Sequence, residues 1–203
     1  HPPPAATRHA ETPAGDLVWV GNWGDDERTA RLNEFFIEPV RQLQLHAHAY
    51  GVRYPADALA RLAAAGICFN GWLPNYRVPT VFRQHRITLH IPRQPYVQAL
   101  PGIPTIRVFE ALACGIPLIC APWEDCEELF SPGEDYLVAR SGTEMVEHLR
   151  LLRNEPTVAT AQAARAWQTI QQRHTCAHRV DELLNICAEL GLQTQPERVL
   201  ALA

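Results

Sequence analysis

A short apolar helix carries the residues whose types and spacing best suit chemistry. The predicted helix at 106–113 holds Arg107 and Glu110 three positions apart, so both lie on one face. The rest of this helix is apolar, and a carboxylate there is costly to bury unless it accepts hydrogen bonds. An ionised carboxylate accepts two hydrogen bonds at once, which suits a pair of ligand hydroxyls. The alternative is an internal ion pair between Arg107 and Glu110.

A second candidate segment, Val20–Arg28, joins a predicted strand to a predicted helix. Gly21 and Gly24 allow the backbone to approach a ligand closely, and the helix N-terminus just beyond is typical of a phosphate cradle. Two aspartates at the helix start already satisfy the helix dipole and argue against an anion there, whereas Arg28 supplies positive charge. An ordinary strand-to-helix turn is the alternative.

The third candidate segment is Phe69–Pro74, where a strand ends in glycine and Trp72 and Leu73 follow. A flat aromatic ligand such as a nucleobase would lie well against this combination of backbone and apolar surface. The alternative is a hydrophobic plug that holds the next helix.

Short apolar strands alternate with helices along the chain and must position these segments. Strands are predicted at 17–21, 46–50, 67–70, 87–91, 118–121 and 136–139, and helices at 27–45, 56–65, 78–84, 106–113, 126–129, 143–153, 156–171 and 175–190. An irregular loop is predicted at 92–104. This alternation predicts an α/β fold, a Rossmann-like doubly wound parallel sheet with a helical C-terminal extension. Ligands of such sheets bind at the carboxyl ends of the strands.

Composition narrows the class of protein. The chain has 203 residues, is 47% hydrophobic and carries a net charge of -4, so we expect a globular protein without nucleic acid as a partner. No apolar run approaches the roughly 20 residues of a membrane span, so none is expected. The six cysteines form no C-x-x-C pair, which favours free thiols in the cytoplasm over a zinc site or a disulfide framework.

Three domain segments are predicted. Residues 1–15, rich in Pro and Ala, are interpreted as a linker or disordered arm, residues 16–191 as the domain, and residues 192–203 as a C-terminal tail. Because the chain begins with His rather than Met, we interpret it as a piece of a longer protein.

Three ordered motifs carry a resemblance to a known family. RVFEALACGIPLI, ELFSPGEDYLVA and RHTCAHRVDELL occur in that order and resemble CgeB-like glycosyltransferases, the spore-maturation-protein branch of the GT-B enzymes. The resemblance covers residues 17–190. It implies the C-terminal half of a GT-B fold in a bacterial, cytoplasmic enzyme that transfers a sugar from a nucleotide sugar to an unidentified acceptor. It implies neither cofactor nor metal, because arginines and helix N-termini would meet the charge of the diphosphate.

The resemblance also assigns roles to individual residues. Glu110 matches the glutamate that grips the ribose hydroxyls of the donor in related enzymes. Arg28 matches a basic residue that reaches the diphosphate, and Gly21 matches the glycine after the first strand. Trp72 and Leu73 fall in the loop that usually lines the base.

Arg107 belongs to the same helical motif and is assigned to donor binding. One departure concerns position 102, where many retaining GT-B enzymes have a second glutamate and this chain has Gly102. Arg93, in the same loop, is the candidate to compensate, so Arg93 and Gly102 are expected at the sugar or the diphosphate.

The partner implied is an N-terminal acceptor-binding domain of the same protein, and the isolated chain is expected to be inactive. Two alternatives stay open from the sequence. One is a catalytically silent Rossmann-like module that binds a nucleotide or a protein; the other is a nucleotide-sugar epimerase or similar GT-B relative.

Overall fold

One parallel sheet of six strands forms the centre of the computed structural model, which describes residues 13–24, 26–99, 102 and 105–192. The strands are β1 (Gly15–Val20), β2 (Ala47–Tyr50), β3 (Ile67–Phe69), β4 (His85–His90), β5 (Leu118–Cys120) and β6 (Leu137–Val138). Their order in the sheet is β3-β2-β1-β4-β5-β6, and every pairing is parallel. This is the strand order of the Rossmann fold, so the predicted fold class is confirmed.

Helices cover both faces of the sheet. They are α1 (Asp26–Leu32), α2 (Glu38–Leu43), α3 (Ala56–Ala64), α4 (Val78–Arg83), α5 (Gln94–Ala99), α6 (Ile106–Cys114), α7 (Gly142–Asn154), α8 (Pro156–Arg173) and α9 (Cys176–Glu189). One core contains residues of α2, α3 and α7, and the other contains residues of α4, α6 and α8. Helix α9 has no buried residue and forms the predicted C-terminal extension.

Alternate residues of β1 explain why the strands are almost continuously apolar. Leu17 and Trp19 enter the first core, whereas Val18 and Val20 enter the second, and all four are buried. A strand that is covered on both faces has no solvent-facing positions, so the usual alternation of polar and apolar residues is lost.

The helix predicted at 27–45 is a continuous helical segment with a π turn in its middle. The π turn Asn33–Ile37 joins α1 to α2 and buries Phe35, Phe36 and Ile37 in the first core. Such a turn holds one residue more than an α-helical turn and commonly occurs near functional sites.

Two local predictions were wrong. The predicted loop at 92–104 contains α5, which is compatible with Pro95 because proline is tolerated in the first turn of a helix. The predicted helix at 126–129 is a turn instead. There the Asp125 carboxylate accepts the N–H groups of Leu129 and Phe130, and this side-chain bonding competes with helix formation.

Gly15 is the first residue of β1, and just before it the N–H of Ala14 donates to the carbonyl of Gln84. Most of the predicted N-terminal arm, at 1–12, and of the predicted tail, at 193–203, lies outside the described residues.

Hydrogen bonds join the loops that follow β1, β2 and β3 into one platform. The N–H of Gly21 donates to Tyr50, and the N–H of Gly51 donates to Gly71. The hydroxyl of Tyr54 and the side-chain carbonyl of Asn22 add two further bonds between the first two loops. A Cβ atom at position 51 would lie 1.9 Å from the carbonyl oxygen of Gly21, so this packing requires glycine.

Gly51→Ala is therefore expected to lower the free energy of unfolding by about 3 kcal/mol or more, since backbone atoms must move to make room for the methyl group. Urea denaturation measures the change. Gly66→Ala is the control: its φ of 73° is also positive, but nothing lies within 4 Å of its Cβ position, so we expect a loss of only about 1–2 kcal/mol. Equal losses in the two variants would contradict the steric argument.

Candidate functional site

A cavity of about 390 Å³ opens at the carboxyl edge of the sheet. Its walls come from the loops after β1, β2 and β4 and from the start of α6. Strands β1 and β4 are neighbours, yet their crossovers leave in opposite directions, to β2 on one side and to β5 on the other. The cavity thus occupies the topological switch point, where open α/β sheets bind ligands.

The guanidinium of Arg28 forms one wall of this cavity and is buried, with only 6% of the residue exposed. Its Nε atom donates to the carbonyl of Asn22 at 3.2 Å, and its Cζ atom lies 5.6 Å from the centre of the Trp19 ring. Arginine keeps its charge at any relevant pH, so the site contains a fixed, largely desolvated positive charge.

Three more arginines line the same cavity, namely Arg53, Arg93 and Arg107. Gly24 brings the backbone to the guanidinium of Arg93, because a Cβ at position 24 would lie 3.7 Å from its Cζ atom. Arg53 has a φ of 60°, in the left-handed region that a non-glycine residue adopts at a cost of about 1 kcal/mol or more. This concentration of arginine suits an anionic ligand with several oxygen atoms.

The predicted pair on α6 is an ion pair. A guanidinium nitrogen of Arg107 donates to Glu110 Oε2, and a second one lies 3.4 Å from the side-chain oxygen of Asn75 in the loop after β3. Both side chains of the pair are about one-quarter exposed. Arg107 lines the cavity, whereas Glu110 lies one helical turn further along α6, beyond its walls.

His90, at the end of β4, is a cavity residue that the sequence did not reveal. Its Nε2 atom lies 3.0 Å from Thr105 Oγ1. Burial, reinforced by the nearby charge of Arg28, lowers the pKa of His90 to about 3, so the imidazole is neutral at physiological pH. A histidine inside a strand gives no periodic signal that separates a site residue from a core residue, which is why sequence reasoning missed it.

The structure brings four predicted residues to the cavity and places four elsewhere. Gly21, Arg28, Arg93 and Arg107 line it. Leu73 is buried in the second core, and Gly102 packs against Cys126 with no room for a side chain. Trp72 is 71% exposed and, like Glu110, lies outside the cavity walls.

A cluster of three histidines, His46, His48 and His85, lies at the amino edge of the sheet, opposite the cavity. His85 Nδ1 donates to the carbonyl of Val81 at 2.7 Å, so in the neutral ring its Nε2 atom accepts from His48 Nδ1, also at 2.7 Å. Burial lowers the pKa of His85 and of His48, and each is lowered further by neighbouring imidazoles. The ring of His46 packs edge-on against that of His48, with 4.8 Å between the ring centroids.

A family of proteins described as glycosyl transferase-like matches residues 28–185, more than three-quarters of the chain. The chain belongs to this family. No curated protein matches it by sequence. In the described part of the chain, no helix combines the length and apolar character that crossing a membrane requires.

Solved glycosyltransferase structures share the fold at low sequence identity. Anabaena Alr3699/HepE in complex with UDP is 15% identical with a TM-score of 0.67, over 85% of this chain and 48% of that one. Sucrose-phosphate synthase from Thermosynechococcus elongatus is 11% identical with a TM-score of 0.67, over 87% and 46%. The C-terminal domain of LpcC, a Francisella tularensis glycosyl transferase group 1 family protein, is 15% identical with a TM-score of 0.60, over 79% and 87%.

These matches show that the fold is that of GT-B C-terminal domains. The chain spans less than half the length of HepE and of the synthase, whereas it covers most of the single domain of LpcC.

Lowering the pH from 7.5 to 5.0 is expected to destabilise the domain through His90. An unfolded histidine titrates near pH 6.5, and His90 in the folded state near 3, so in this window only the unfolded chain takes up the proton. At pH 5.0 this amounts to about 2 kcal/mol, and His48 and His85 act in the same direction. Urea unfolding at both pH values measures the loss. His90→Gln should lose correspondingly less stability, and an unchanged pH dependence would contradict the assignment.

Proposed function

We propose that this domain binds the nucleotide-sugar donor of a glycosyltransferase, with the diphosphate in the cavity at the switch point. The buried guanidinium of Arg28 is the observation that carries the proposal. A permanent positive charge shielded from water at the ligand-binding edge of a Rossmann-like sheet is favourable for an anion.

The diphosphate fits both the chemistry and the size of this cavity. Arg28 lies in the first turn of α1 and Arg93 on the loop after β4, so they reach the ligand from two sides, and Arg53 adds charge from the loop after β2. Planar guanidinium groups make paired hydrogen bonds to phosphate oxygens. A volume of about 390 Å³ lies in the range of small-molecule sites.

The ion pair on α6 would hold the ribose beside the diphosphate. Arg107 links the two regions, because it lines the cavity and also bonds to Glu110. In the proposed complex the Glu110 carboxylate accepts the ribose hydroxyls while Arg107 keeps it oriented, since each carboxylate oxygen has two acceptor sites. Trp72, exposed in the loop that contacts Arg107 through Asn75, remains the candidate for the base.

Structures related by fold support a nucleotide-sugar ligand. HepE was solved with UDP, with UDP and glucose, and with UDP-glucose, and a T4 phage BGT mutant with UDP-glucose. At 16% identity or less they support the ligand class and leave the choice of base and sugar to experiment.

An acceptor-binding domain would supply what this chain lacks, since the chain spans less than half of the first matching structures. The CgeB-like subtype proposed from the three sequence motifs belongs to the same proposal. Glu110 then orients the nucleotide and takes no part in bond making.

We expect the isolated chain neither to transfer sugar from UDP-glucose nor to hydrolyse it. Release of UDP measures both reactions. Turnover would contradict the proposal that this domain only binds the donor.

Thermal unfolding with added nucleotides tests the donor site. UDP, GDP or one of their sugars should raise the melting temperature, because a ligand that binds only the folded state stabilises it. Glu110→Ala should weaken the binding of that nucleotide by about tenfold to a hundredfold, the range for a lost hydrogen bond to a charged group.

Glu182→Ala is the matched control. Glu182 also pairs with an arginine three residues earlier on a helix, but on α9, away from the cavity. It should therefore bind the nucleotide as the unmodified chain does. Equal weakening in the two variants, or the absence of a shift with every nucleotide tested, would favour a silent Rossmann-like module.

A further inference from the structure

The start of α6 differs from the start of α7. Ser141 accepts from the N–H of Glu144 and so caps α7. Thr105 occupies the same N-cap position of α6 with an extended backbone, yet its side chain makes no cap hydrogen bond. A residue type that normally caps a helix is thus present without doing so.

His90 accounts for the difference. The hydroxyl of Thr105 is engaged by His90 Nε2 at 3.0 Å and is turned away from the helix. An N-cap hydroxyl accepts from the second or third N–H group of its helix. The third, that of Val108, already donates to the carbonyl of Thr105, so the N–H of Arg107 is the donor that a capping hydroxyl would otherwise occupy. This donor lies where α6 meets the cavity, because Thr105 and Arg107 both line it.

His90 is costly to bury in this position. Only 5% of the residue is exposed, and its Nδ1 atom has no hydrogen-bond partner among the described residues. A buried imidazole nitrogen without a partner destabilises a fold, so the packing of β4 does not explain the choice of histidine. Within the part of the chain that the structure describes, the one hydrogen bond through a ring nitrogen of His90 is the bond to Thr105.

The charges around the open helix end favour an anion. Arg28, Arg93 and Arg107 share the cavity with Thr105, and the helix dipole places partial positive charge at the N-terminus of α6. Phosphate oxygens are the ligand groups that such an end binds through its backbone N–H groups.

We propose that His90 is a positioning residue: by holding the Thr105 hydroxyl away from α6, it leaves the N–H of Arg107 free to donate to a phosphate of the ligand. The inference rests on the proposed function for the identity of the ligand. It adds that the hydrogen bond between His90 and Thr105 keeps one phosphate position accessible.

The variant His90→Phe tests this positioning role. Phenylalanine keeps a planar ring but cannot bond Thr105, so the hydroxyl turns to cap α6 and competes with the ligand. The affinity for UDP and for inorganic pyrophosphate, measured by calorimetry, should fall about fivefold, the factor that corresponds to one N-cap hydrogen bond. Without ligand, hydrogen exchange of the Arg107 amide, followed by NMR, should become slower. His90→Leu is a second, smaller apolar variant with the same expected results, and His90→Gln, which can still bond Thr105, should retain the affinity.

The double variant His90→Phe, Thr105→Ala separates positioning from packing. Removing the hydroxyl removes the competing cap, so pyrophosphate and UDP affinity should return to within about twofold of the unmodified chain. If the histidine serves packing alone, the double variant binds no better than His90→Phe. If the hydroxyl itself contacts the phosphate, Thr105→Ala alone loses affinity and the double variant does not recover. Either result overturns the proposal.

Hydrogen exchange of the Arg107 amide and the affinity for UDP and pyrophosphate together distinguish failure of the positioning role from failure of the proposed function. Unchanged exchange of the Arg107 amide in both apolar variants refutes the positioning role whether or not a nucleotide binds. Binding of UDP without any loss in these variants refutes the positioning role and leaves the donor site intact. If the unmodified chain binds neither UDP nor pyrophosphate, the donor site fails, and the positioning role fails with it.

Discussion

A buried positive charge at the switch point is the constraint on which the rest of the site depends. Arg28 cannot release its proton, so its neighbours must accommodate a cation in a region largely closed to water. The carbonyl of Asn22 and the face of Trp19 do so from below. The same charge contributes to holding His90 neutral, so the imidazole adds no positive charge to that of the four arginines in the cavity wall. An anion that enters meets a charge that is already oriented and desolvated, so little reorganisation accompanies binding.

The loops around this charge owe their positions to contacts between backbones. Gly51 touches the carbonyl of Gly21, and Gly21 in turn leaves room for the indole of Trp19, where a Cβ would lie 2.6 Å from the ring. Because the loops after β1, β2 and β3 are bonded to one another, Arg53 and the Asn22 carbonyl that binds Arg28 belong to a shared platform rather than to two independent loops. Rigid support of this kind favours binding because less conformational entropy is lost on association.

The sequence predicts the fold well, because short apolar strands that alternate with helices are typical of a parallel sheet covered on both faces. It also predicts a site role for Arg28 and Arg93, and the structure places both at the cavity. The sequence does not reveal where side-chain hydrogen bonds compete with those of a helix. Here the Asp125 carboxylate accepts backbone N–H groups and prevents the helix predicted at 126–129. The sequence also does not identify His90 and Arg53 as cavity residues, because their place at the cavity depends on which strand ends and loops the topology brings together.

The predictions for Trp72, Leu73 and Gly102 show a further limit. Trp72 and Leu73 were placed near the ligand because their loop follows a strand, and Gly102 because related enzymes have a glutamate at that position. In the structure Leu73 belongs to the core and Gly102 packs against Cys126. The place of a loop in the sequence predicts which edge of the sheet it lies at. The direction of each side chain depends on packing partners that are distant in sequence.

The π turn between α1 and α2 makes the number of residues in this segment a determinant of the site. Successive residues of an α-helix are rotated by about 100° around its axis. Deleting one residue from Asn33–Ile37 would restore regular helix and turn α1 by that angle relative to α2, which carries Arg28 away from the cavity. A one-residue gap here in an alignment with relatives therefore marks a change in the geometry of the site, even where every aligned residue is identical.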